Sequence, residues 1–200
     1  QRQMCIRDRF YFDEKKQKYI NRFKEKLLLW WGTILGVGSC LSWATMHRLH
    51  HKDADTENDP HSPAVYGINK VLFQGADLYH KEKNNKETIE KYSQNCPNDW
   101  IEKKLYTGRN NLGILILFIL NIIMFGTVGI IIWSIQMMWT PIFAAGGING
   151  AGHYWGYRNY NTNDDSTNMS PIGIIIGGEE LHNNHHAYPT AAKFSLRPWE

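Results

Sequence analysis

This 200-residue chain has few cysteines and only a small excess of positive charge. The three cysteines, Cys5, Cys40 and Cys96, lie far apart and form no CxxC pair. An odd number of widely spaced cysteines favours free thiols in a reducing compartment over disulfide bridges or a thiolate metal site. The net charge is only +3, and no stripe of Lys and Arg is interleaved with base-stacking aromatic residues, so nucleic-acid binding is not indicated.

Charge is missing altogether from residues 112–157. One helix crosses a bilayer in about 20 residues, so the apolar part of this stretch, about residues 112–152, predicts a membrane hairpin of two crossings. Its turn is expected near residues 126–129. Two crossings return the chain to the side that it left. Residues 27–46 also lack charge, and they fit either a membrane span or a helix packed at the membrane interface.

Lys and Arg residues flank the predicted hairpin on both sides. They occur throughout residues 47–111 and again as Arg158, Lys193 and Arg197, which places the flanking segments in the cytoplasm. Residues 81–104 are dense in Lys and Glu and are expected to form a solvated helix face. The basic, amphipathic residues 13–26 fit either a membrane-surface segment or an ordinary solvated one.

The first nine residues fit nothing that follows them. No apolar core follows their charges, so they are not a signal peptide, and we interpret residues 1–9 as non-native. The native domain is then residues 10–200, and we expect it to be truncated at both ends.

Histidine is the informative residue type, because seven of the nine histidines fall into three clusters. These seven are His47, His50, His51, His153, His182, His185 and His186. The spacing H-x-x-H-H occurs twice, and on a helix positions i, i+3 and i+4 share one face. The adjacent pair in each motif diverges enough to reach two different metals. Seven nitrogens exceed the needs of one tetrahedral zinc, so the count indicates two metal ions.

Two less specific interpretations of these clusters stay open, a structural zinc cluster and a surface histidine tract. His61 and His80 lie outside the clusters. We expect them to be hydrogen-bonded structural residues.

Three segments carry a family resemblance: HRLHH, NGAGHYWGYRNY and GEELHNNHHAYP. They resemble the histidine boxes of the membrane fatty acid desaturases, most closely the bacterial acyl desaturases that are similar to stearoyl-CoA desaturase. The resemblance covers about residues 10–200. It implies an all-α integral membrane helical bundle with a cytoplasmic, histidine-rich di-metal cap.

The resemblance also implies the ligands of the metal centre. The seven clustered histidines would hold two iron ions, and Asn149 matches a position that holds a metal-bound water. The family has an earlier H-x-x-x-(x)-H box that supplies two further ligands, and no histidine precedes His47 here. We therefore expect the 200-residue chain by itself to be inactive.

The implied activity is dioxygen-dependent desaturation, which introduces a cis double bond into a long acyl chain carried by CoA or by a lipid. No general base can remove a proton from an unactivated alkyl chain, so an oxidant derived from dioxygen is required. The sequence contains no flavin or haem motif, so an external electron donor of the ferredoxin or cytochrome b5 type is expected. The resemblance places the protein in the membrane, most simply a bacterial inner membrane, with the metal site facing the cytoplasm.

Further residues are candidates for supporting roles. A metal-bound histidine usually donates its other N–H to a carboxylate or carbonyl. Six acidic residues lie near the clusters in sequence: Asp53, Asp55, Glu57, Asp59, Glu179 and Glu180. Trp139, Trp155 and Tyr157 are candidates for lining a substrate channel, and interfacial aromatic anchoring is the alternative role for each. The glycines of residues 146–152 either pack helices closely or leave room for a ligand.

Three other classes of protein compete with a desaturase. An acyl or alkane hydroxylase would use the same boxes and make an alcohol instead of an alkene. A di-iron carboxylate protein would need two E-x-x-H motifs, and only Glu179-x-x-His182 occurs in a suitable setting. A non-enzymatic membrane metal-binding or transport protein should carry ionisable residues within the membrane, and residues 112–152 contain none.

Overall fold

The computed structural model describes residues 40–94, 96, 100, 102–173, 176–191 and 193–200. The interpretations of residues 1–9 and 13–26, and of most of residues 27–46, lie outside this part of the chain. The described residues form helices joined by turns, and the only β-structure among them is two isolated bridges, at Tyr157–Asn168 and Asn168–Leu181. The predicted all-α class is therefore confirmed for the described residues.

Helix α1 (Cys40–Asp53) carries the first histidine cluster. Ala44, Met46 and Leu49 of this helix are buried. The last turn holds His50, His51 and Lys52, and the cationic Lys52 is favoured at the negative end of the helix dipole.

A tight turn follows α1 and leads into a short helix, α2 (Pro63–Tyr66). Ser62 caps α2 by accepting a hydrogen bond from the Ala64 N–H, and Pro63 occupies the first turn, where its missing N–H costs nothing. Asp55 has a φ of 60°, the only positive φ of a non-glycine residue in the described chain. Asp tolerates this left-handed conformation better than most residues do.

Two further helices pack on elements of the site. Helix α3 (Ile68–Glu82) packs lengthwise on the segment Thr140–Ala151, and α4 (Lys86–Tyr92) packs on α1. Arg48 of α1 connects the two helices by donating to the carbonyl oxygens of Tyr92 and Gln94, at 2.9 and 2.6 Å. Most residues of α4 are exposed, as predicted for the Lys- and Glu-rich stretch, whereas Lys83 and Glu102 are buried exceptions.

Two apolar helices joined by a tight turn occupy the segment for which a membrane hairpin is predicted. Helix α5 (Asn110–Phe125) ends at Gly126, which has a φ of 59°, and α6 (Val128–Trp139) begins two residues later. The two helices pack on each other, and a Cβ on Gly129 would lie 2.2 Å from the Asn121 carbonyl oxygen, so glycine is required there. Helix α6 continues as a π-helical segment, π2 (Thr140–Ala151), after the shorter π-helical segment π1 (Glu102–Tyr106) earlier in the chain.

One helix of the described chain, Val128–Ala151, is long and apolar enough to cross a membrane. Only 6% of its most apolar stretch is buried within the protein. Helix α5 has 16 residues, which at about 1.5 Å each is shorter than a hydrocarbon core of about 30 Å. A second crossing and the bundle topology therefore stay predictions.

The remaining residues, from Gly152 onwards, are mostly irregular and contain one short helix, α7 (His182–Ala187). Five residues of α7, His182 to His186, are buried. Asn183 and Asn184 bond the surrounding loops, for instance through the Asn159 N–H at 2.9 Å and the Phe194 carbonyl at 2.9 Å. This network fixes α7 to the loops of residues 159–168 and 194–200.

Candidate metal centre

All seven clustered histidines come together, in two groups. The four-histidine group consists of His50, His153, His182 and His186. The three-histidine group consists of His47, His51 and His185. Within each group one ring nitrogen per residue lies within 4.8 Å of the others.

The helical repeat explains how each H-x-x-H-H motif is divided between the groups. On α1 the i, i+4 pair His47 and His51 enters the three-histidine group, while His50 enters the four-histidine group. On α7 the i, i+4 pair His182 and His186 enters the four-histidine group, while His185 enters the other. Adjacent histidines on a helix point about 100° apart, so each neighbouring pair reaches separate positions, as the spacing predicted.

The Nδ1 atoms of three histidines in the four-histidine group are bonded to carboxylates. His50 Nδ1 lies 3.0 Å from Asp59 Oδ2, and His153 Nδ1 lies 2.7 Å from Asp55 Oδ2. His186 Nδ1 lies 2.8 Å from Asp164 Oδ2. An ionised carboxylate only accepts, so each ring carries its proton on Nδ1 and leaves Nε2 as a lone-pair donor.

The free Nε2 atoms face the interior of the group. His153 Nε2 lies 3.1 Å from His182 Nε2. The Nε2 atoms of His50 and His186 are buried and have no hydrogen-bond partner among the described residues. Buried lone pairs without donors are costly unless a cation accepts them, so this donor set fits a metal ion.

The three-histidine group shows the same convergence of Nε2 atoms. His185 Nε2 lies 2.8 Å from His51 Nε2 and 3.4 Å from His47 Nε2. A single N–H···N hydrogen bond can satisfy only one such pair, whereas a metal ion can accept all three lone pairs. This group therefore also fits a metal ion through imidazole nitrogen.

Burial keeps five of the seven rings neutral. Burial, reinforced by the neighbouring histidines, holds the pKa of His47, His51, His182 and His186 well below its usual value. Burial lowers the pKa of His185 to about 3. Neutral imidazole is the form that binds metal, so no proton has to be displaced from these rings at neutral pH.

A glycine at the end of π2 makes room for the site. A Cβ on Gly152 would lie 2.9 Å from His182 Cδ2 and 2.3 Å from the Ile148 carbonyl oxygen. Other small residues of this segment pack against α3, where a Cβ on Gly146 would lie 2.5 Å from the Leu72 carbonyl oxygen. Close helix packing thus accounts for Gly146. Asn149 is half-buried in the last turn of π2, and its predicted role with a metal-bound water stays a prediction.

The six acidic candidates have different surroundings. Asp55 and Asp59 bond site histidines, whereas Asp53 accepts from the Tyr92 hydroxyl at 3.3 Å and Glu57 is exposed. Glu180 accepts from the Ile176 and Gly178 N–H groups, at 2.7 and 3.1 Å, and so shapes the loop before α7.

Glu179 is the sixth candidate. Its Oε2 is buried without a hydrogen-bond partner among the described residues. Burial, reinforced by Glu180, raises the pKa of Glu179 to about 8.

Sequence reasoning missed Asp164, the carboxylate that holds His186. A signal was present, because Asp164 is the first acidic residue after Glu102 and lies between the second and third histidine clusters. Its distance of 22 positions from His186 hid the contact.

His61 and His80 were expected to be structural. His61 is buried and stacks on His50, with ring centroids 4.6 Å apart, and its Nε2 lies 3.8 Å from Asp59 Oδ1. With His50 and Asp59 it forms a third cluster of potential ligand atoms. Burial lowers the pKa of His61 to about 3. His80 is exposed on α3.

The three channel candidates lie near the surface. Trp139 is exposed and stacks on Phe143, with ring centroids 4.1 Å apart. Trp155 is also exposed, and the Tyr157 hydroxyl donates to Glu200 Oε1 at 3.2 Å. Exposed tryptophans also suit the alternative of interfacial anchors, and a channel role stays a prediction.

Fold and site together define a class of protein: a helical protein with an exposed apolar helix, in which seven imidazoles converge on two positions suited to metal ions. The family profile described as fatty acid desaturase matches residues 14–199. The chain belongs to the fatty acid desaturase family.

Curated relatives agree with the family match. The chain is 28% identical over 188 residues to an sn-1 stearoyl-lipid 9-desaturase of Anabaena variabilis, covering 90% of this chain and 64% of the relative. A protein of the same name from Synechocystis sp. is 32% identical over 185 residues, covering 90% and 55%. The Delta-9 desaturase-like 3 protein of Arabidopsis thaliana is 31% identical over 163 residues, covering 80% and 52%.

The chain therefore spans between about half and two thirds of the length of these relatives. No solved structure matches the chain.

Proposed function

We propose that this protein acts as a dioxygen-dependent acyl desaturase, which introduces a cis double bond into a long acyl chain. The observation that carries the proposal is the convergence of seven buried or half-buried imidazoles, through Nε2, in two groups within a chain of the desaturase family. Both groups belong to one site, because α1 and α7 each supply ligand atoms to both.

We propose two iron ions as the cofactors, one in each histidine group. Bound there, iron would supply the activation of dioxygen that removal of hydrogen from an unactivated alkyl chain requires. The chain's own residues prepare this site, because Asp55, Asp59 and Asp164 each accept from the Nδ1 of a histidine and leave its Nε2 free to bind metal. Burial of α7 excludes water from the nitrogens before substrate binds.

The names of the relatives support a particular class of substrate. Two relatives are named stearoyl-lipid 9-desaturases, so we propose a saturated acyl chain on a membrane lipid, with the double bond at carbon 9. An acyl-CoA is the alternative carrier. A lipid substrate agrees with the exposed apolar helix Val128–Ala151, whose end at Ala151 lies two residues from His153.

Location and electron supply belong to the same proposal. Since both ends of the hairpin lead to histidine clusters, the site lies at one membrane face, which we propose to be the cytoplasmic face of a bacterial inner membrane. We propose that a separate ferredoxin or cytochrome b5-type protein delivers the electrons, and that Asn149 holds a metal-bound water.

Expression of the complete gene, in a host that lacks 9-desaturase activity, tests the function; the 200-residue chain by itself is expected to be inactive. We expect new monounsaturated acyl chains in the membrane lipids, detected by mass spectrometry of their methyl esters, with derivatisation to locate the double bond. His182→Ala should abolish the product, because it removes one ligand of the four-histidine group. His80→Ala is the matched control, because His80 is exposed on α3 and should leave the product unchanged.

Three outcomes would contradict the proposal. A hydroxylated chain in place of the alkene would identify a hydroxylase. A double bond only in the acyl-CoA pool would reassign the carrier. An alkene yield that survives His182→Ala would separate the activity from this site.

A further inference from the structure

The two histidine groups differ in the hydrogen-bond partners of their Nδ1 atoms. Three of the four rings in the four-histidine group donate Nδ1–H to a carboxylate, at 3.0 Å for His50, 2.7 Å for His153 and 2.8 Å for His186. Such a carboxylate fixes the ring orientation and makes the opposite nitrogen more basic, which strengthens a metal bond. Three of the four potential ligands in this group are therefore supported by a carboxylate.

Each of these carboxylates is itself fixed in place. Asp164 Oδ1 accepts from the Ser166 N–H at 3.1 Å and from the hydroxyls of Ser166 and Thr162, at 2.5 and 2.7 Å. Asp59 Oδ1 accepts from the His61 N–H at 3.1 Å. Because these donors occupy the remaining oxygen, the carboxylates cannot turn away from the histidines without losing several hydrogen bonds.

The three-histidine group lacks this support at two of its residues. Neither His51 nor His185 bonds a carboxylate within the part of the chain that the structure describes. His185 Nδ1 is buried and has no partner there. A ring without an acceptor at Nδ1 is a weaker and less firmly oriented ligand.

We infer that the two groups bind metal ions with unequal strength, so that the four-histidine group fills first, and that Asp164 is a positioning residue which sets this order through His186. The inference rests on the proposed function, since it assumes that both groups hold metal. It goes further by assigning different roles to two groups that sequence spacing treats alike. Asp164 has no role in the sequence-based ligand set.

Titration with Co²⁺ tests the order of filling. The metal-free 200-residue chain in detergent micelles would be titrated with cobalt, and the visible absorption and calorimetric heat recorded. We expect two steps of different affinity. His182→Ala should remove the tighter step and His51→Ala the weaker one, which assigns the steps to the groups. Loss of the tighter step in His51→Ala would overturn the inference.

The variant Asp164→Asn tests the positioning role. Asparagine retains an oxygen that can accept from His186 Nδ1 but removes the negative charge. Removal of such an outer partner costs about 10- to 100-fold in metal affinity. We therefore expect the tighter step to weaken by that factor, with a shifted cobalt spectrum, while the weaker step stays unchanged. A merely structural role would weaken both steps together.

The matched control is Asp165→Asn, the same change one residue along. The Asp165 side chain is exposed, and only its backbone N–H takes part in the site, at 2.8 Å from Asp55 Oδ2. Cobalt binding by this variant should equal that of the unmodified chain. Equal weakening by both variants, or weakening by neither, would overturn the role of Asp164.

Failure of the inference and failure of the proposed function give different results. If the unmodified chain binds no cobalt through these histidines, the metal site itself is contradicted. If it binds two ions with equal affinity, only the inequality fails. Should Asp164→Asn lose its helical circular dichroism, Asp59→Asn puts the same question at His50, and the tighter step should again weaken selectively.

Discussion

At the scale of single residues, charge state decides what the site can bind. Burial alone would raise the pKa of Asp59 and of Asp164, but hydrogen bonds from His50 and His186 outweigh it and hold both pKa values below the usual one. The carboxylates are therefore ionised, while burial keeps the ring of His186 neutral. Each of these histidines thus offers an Nε2 lone pair while an ionised carboxylate bonds its Nδ1, an arrangement that suits a metal cation.

At Glu179 burial outweighs the interactions that would lower the pKa, so the stability of the protein should depend on pH. The folded-state pKa of Glu179, about 8, exceeds the ordinary value of 4.5, because burial disfavours the charged form and Glu180 adds repulsion. The folded protein keeps a proton that the unfolded chain loses, so stability should fall as pH rises from about 4.5 to 8. Glu179→Gln should remove this part of the pH dependence, which thermal unfolding of the metal-free chain at pH 5 and pH 8 would measure.

The control for this measurement is Glu57→Gln, at an exposed position. We expect it to follow the pH profile of the unmodified chain. A Glu179→Gln profile parallel to that of the unmodified chain would show that Glu179 ionises normally in the folded state.

At the scale of elements, the site depends on helices that approach unusually closely. Helix α3 lies along π2, where a Cβ on Gly146 would meet the Leu72 carbonyl at 2.5 Å and one on Gly75 would meet the Ala145 carbonyl at 3.1 Å. Small residues at such an interface let two backbones touch. Because π2 ends two residues before His153, this packing also fixes the position of His153 relative to α3.

Gly146→Ala tests this interface. The new methyl group would clash with backbone, which cannot move aside as a side chain can, so α3 and π2 must separate. We expect a loss of stability of about 1–3 kcal/mol, measured by denaturant unfolding in detergent.

Gly147→Ala is the matched control for the interface, since the nearest atom to its Cβ would lie 3.5 Å away, in ordinary contact. Alanine is also the better helix former, so this variant should be neutral or slightly more stable. Equal stability losses in the two variants would rule out backbone contact as the reason for Gly146.

At the scale of the whole molecule, Asp55 joins two parts of the chain that are far apart in sequence. Its Oδ2 accepts from His153 Nδ1, 98 residues away, and from the Asp165 N–H, 110 residues away. Its Oδ1 accepts from the Ser62 hydroxyl at 3.1 Å. The turn after α1 is thereby bonded to the loops beyond the hairpin.

Asp55→Asn should weaken this connection. Asparagine tolerates the left-handed backbone at this position, so the variant tests the charge and not the turn. Loss of charge-assisted hydrogen bonds should cost about 1.5–3 kcal/mol, seen as a lower thermal midpoint of the metal-free chain.

Asp53→Asn serves as the control for Asp55, because Asp53 makes only a 3.3 Å contact with the Tyr92 hydroxyl. It should change stability by less than about 1 kcal/mol. If the two asparagine variants melt at the same temperature, the Asp55 connection contributes nothing particular to the fold.

The sequence by itself determined the helical class, the position of the hairpin turn and the division of each H-x-x-H-H motif, because these follow from local periodicity and from runs without charge. It also determined the family, through the three histidine boxes. These properties depend on residues within a few positions of one another, where the helical repeat fixes direction.

Only the tertiary structure decided which carboxylates support the histidines. Among the acidic candidates near the clusters, Asp55 and Asp59 bond site histidines while Asp53 turns to α4, and the more distant Asp164 holds His186. Contacts across 22 or 98 residues depend on how loops close over the packed helices. Local sequence fixes the direction in which a side chain points from its own helix. Which partner it meets depends on packing between segments far apart in the chain, and short-range sequence patterns do not encode that packing.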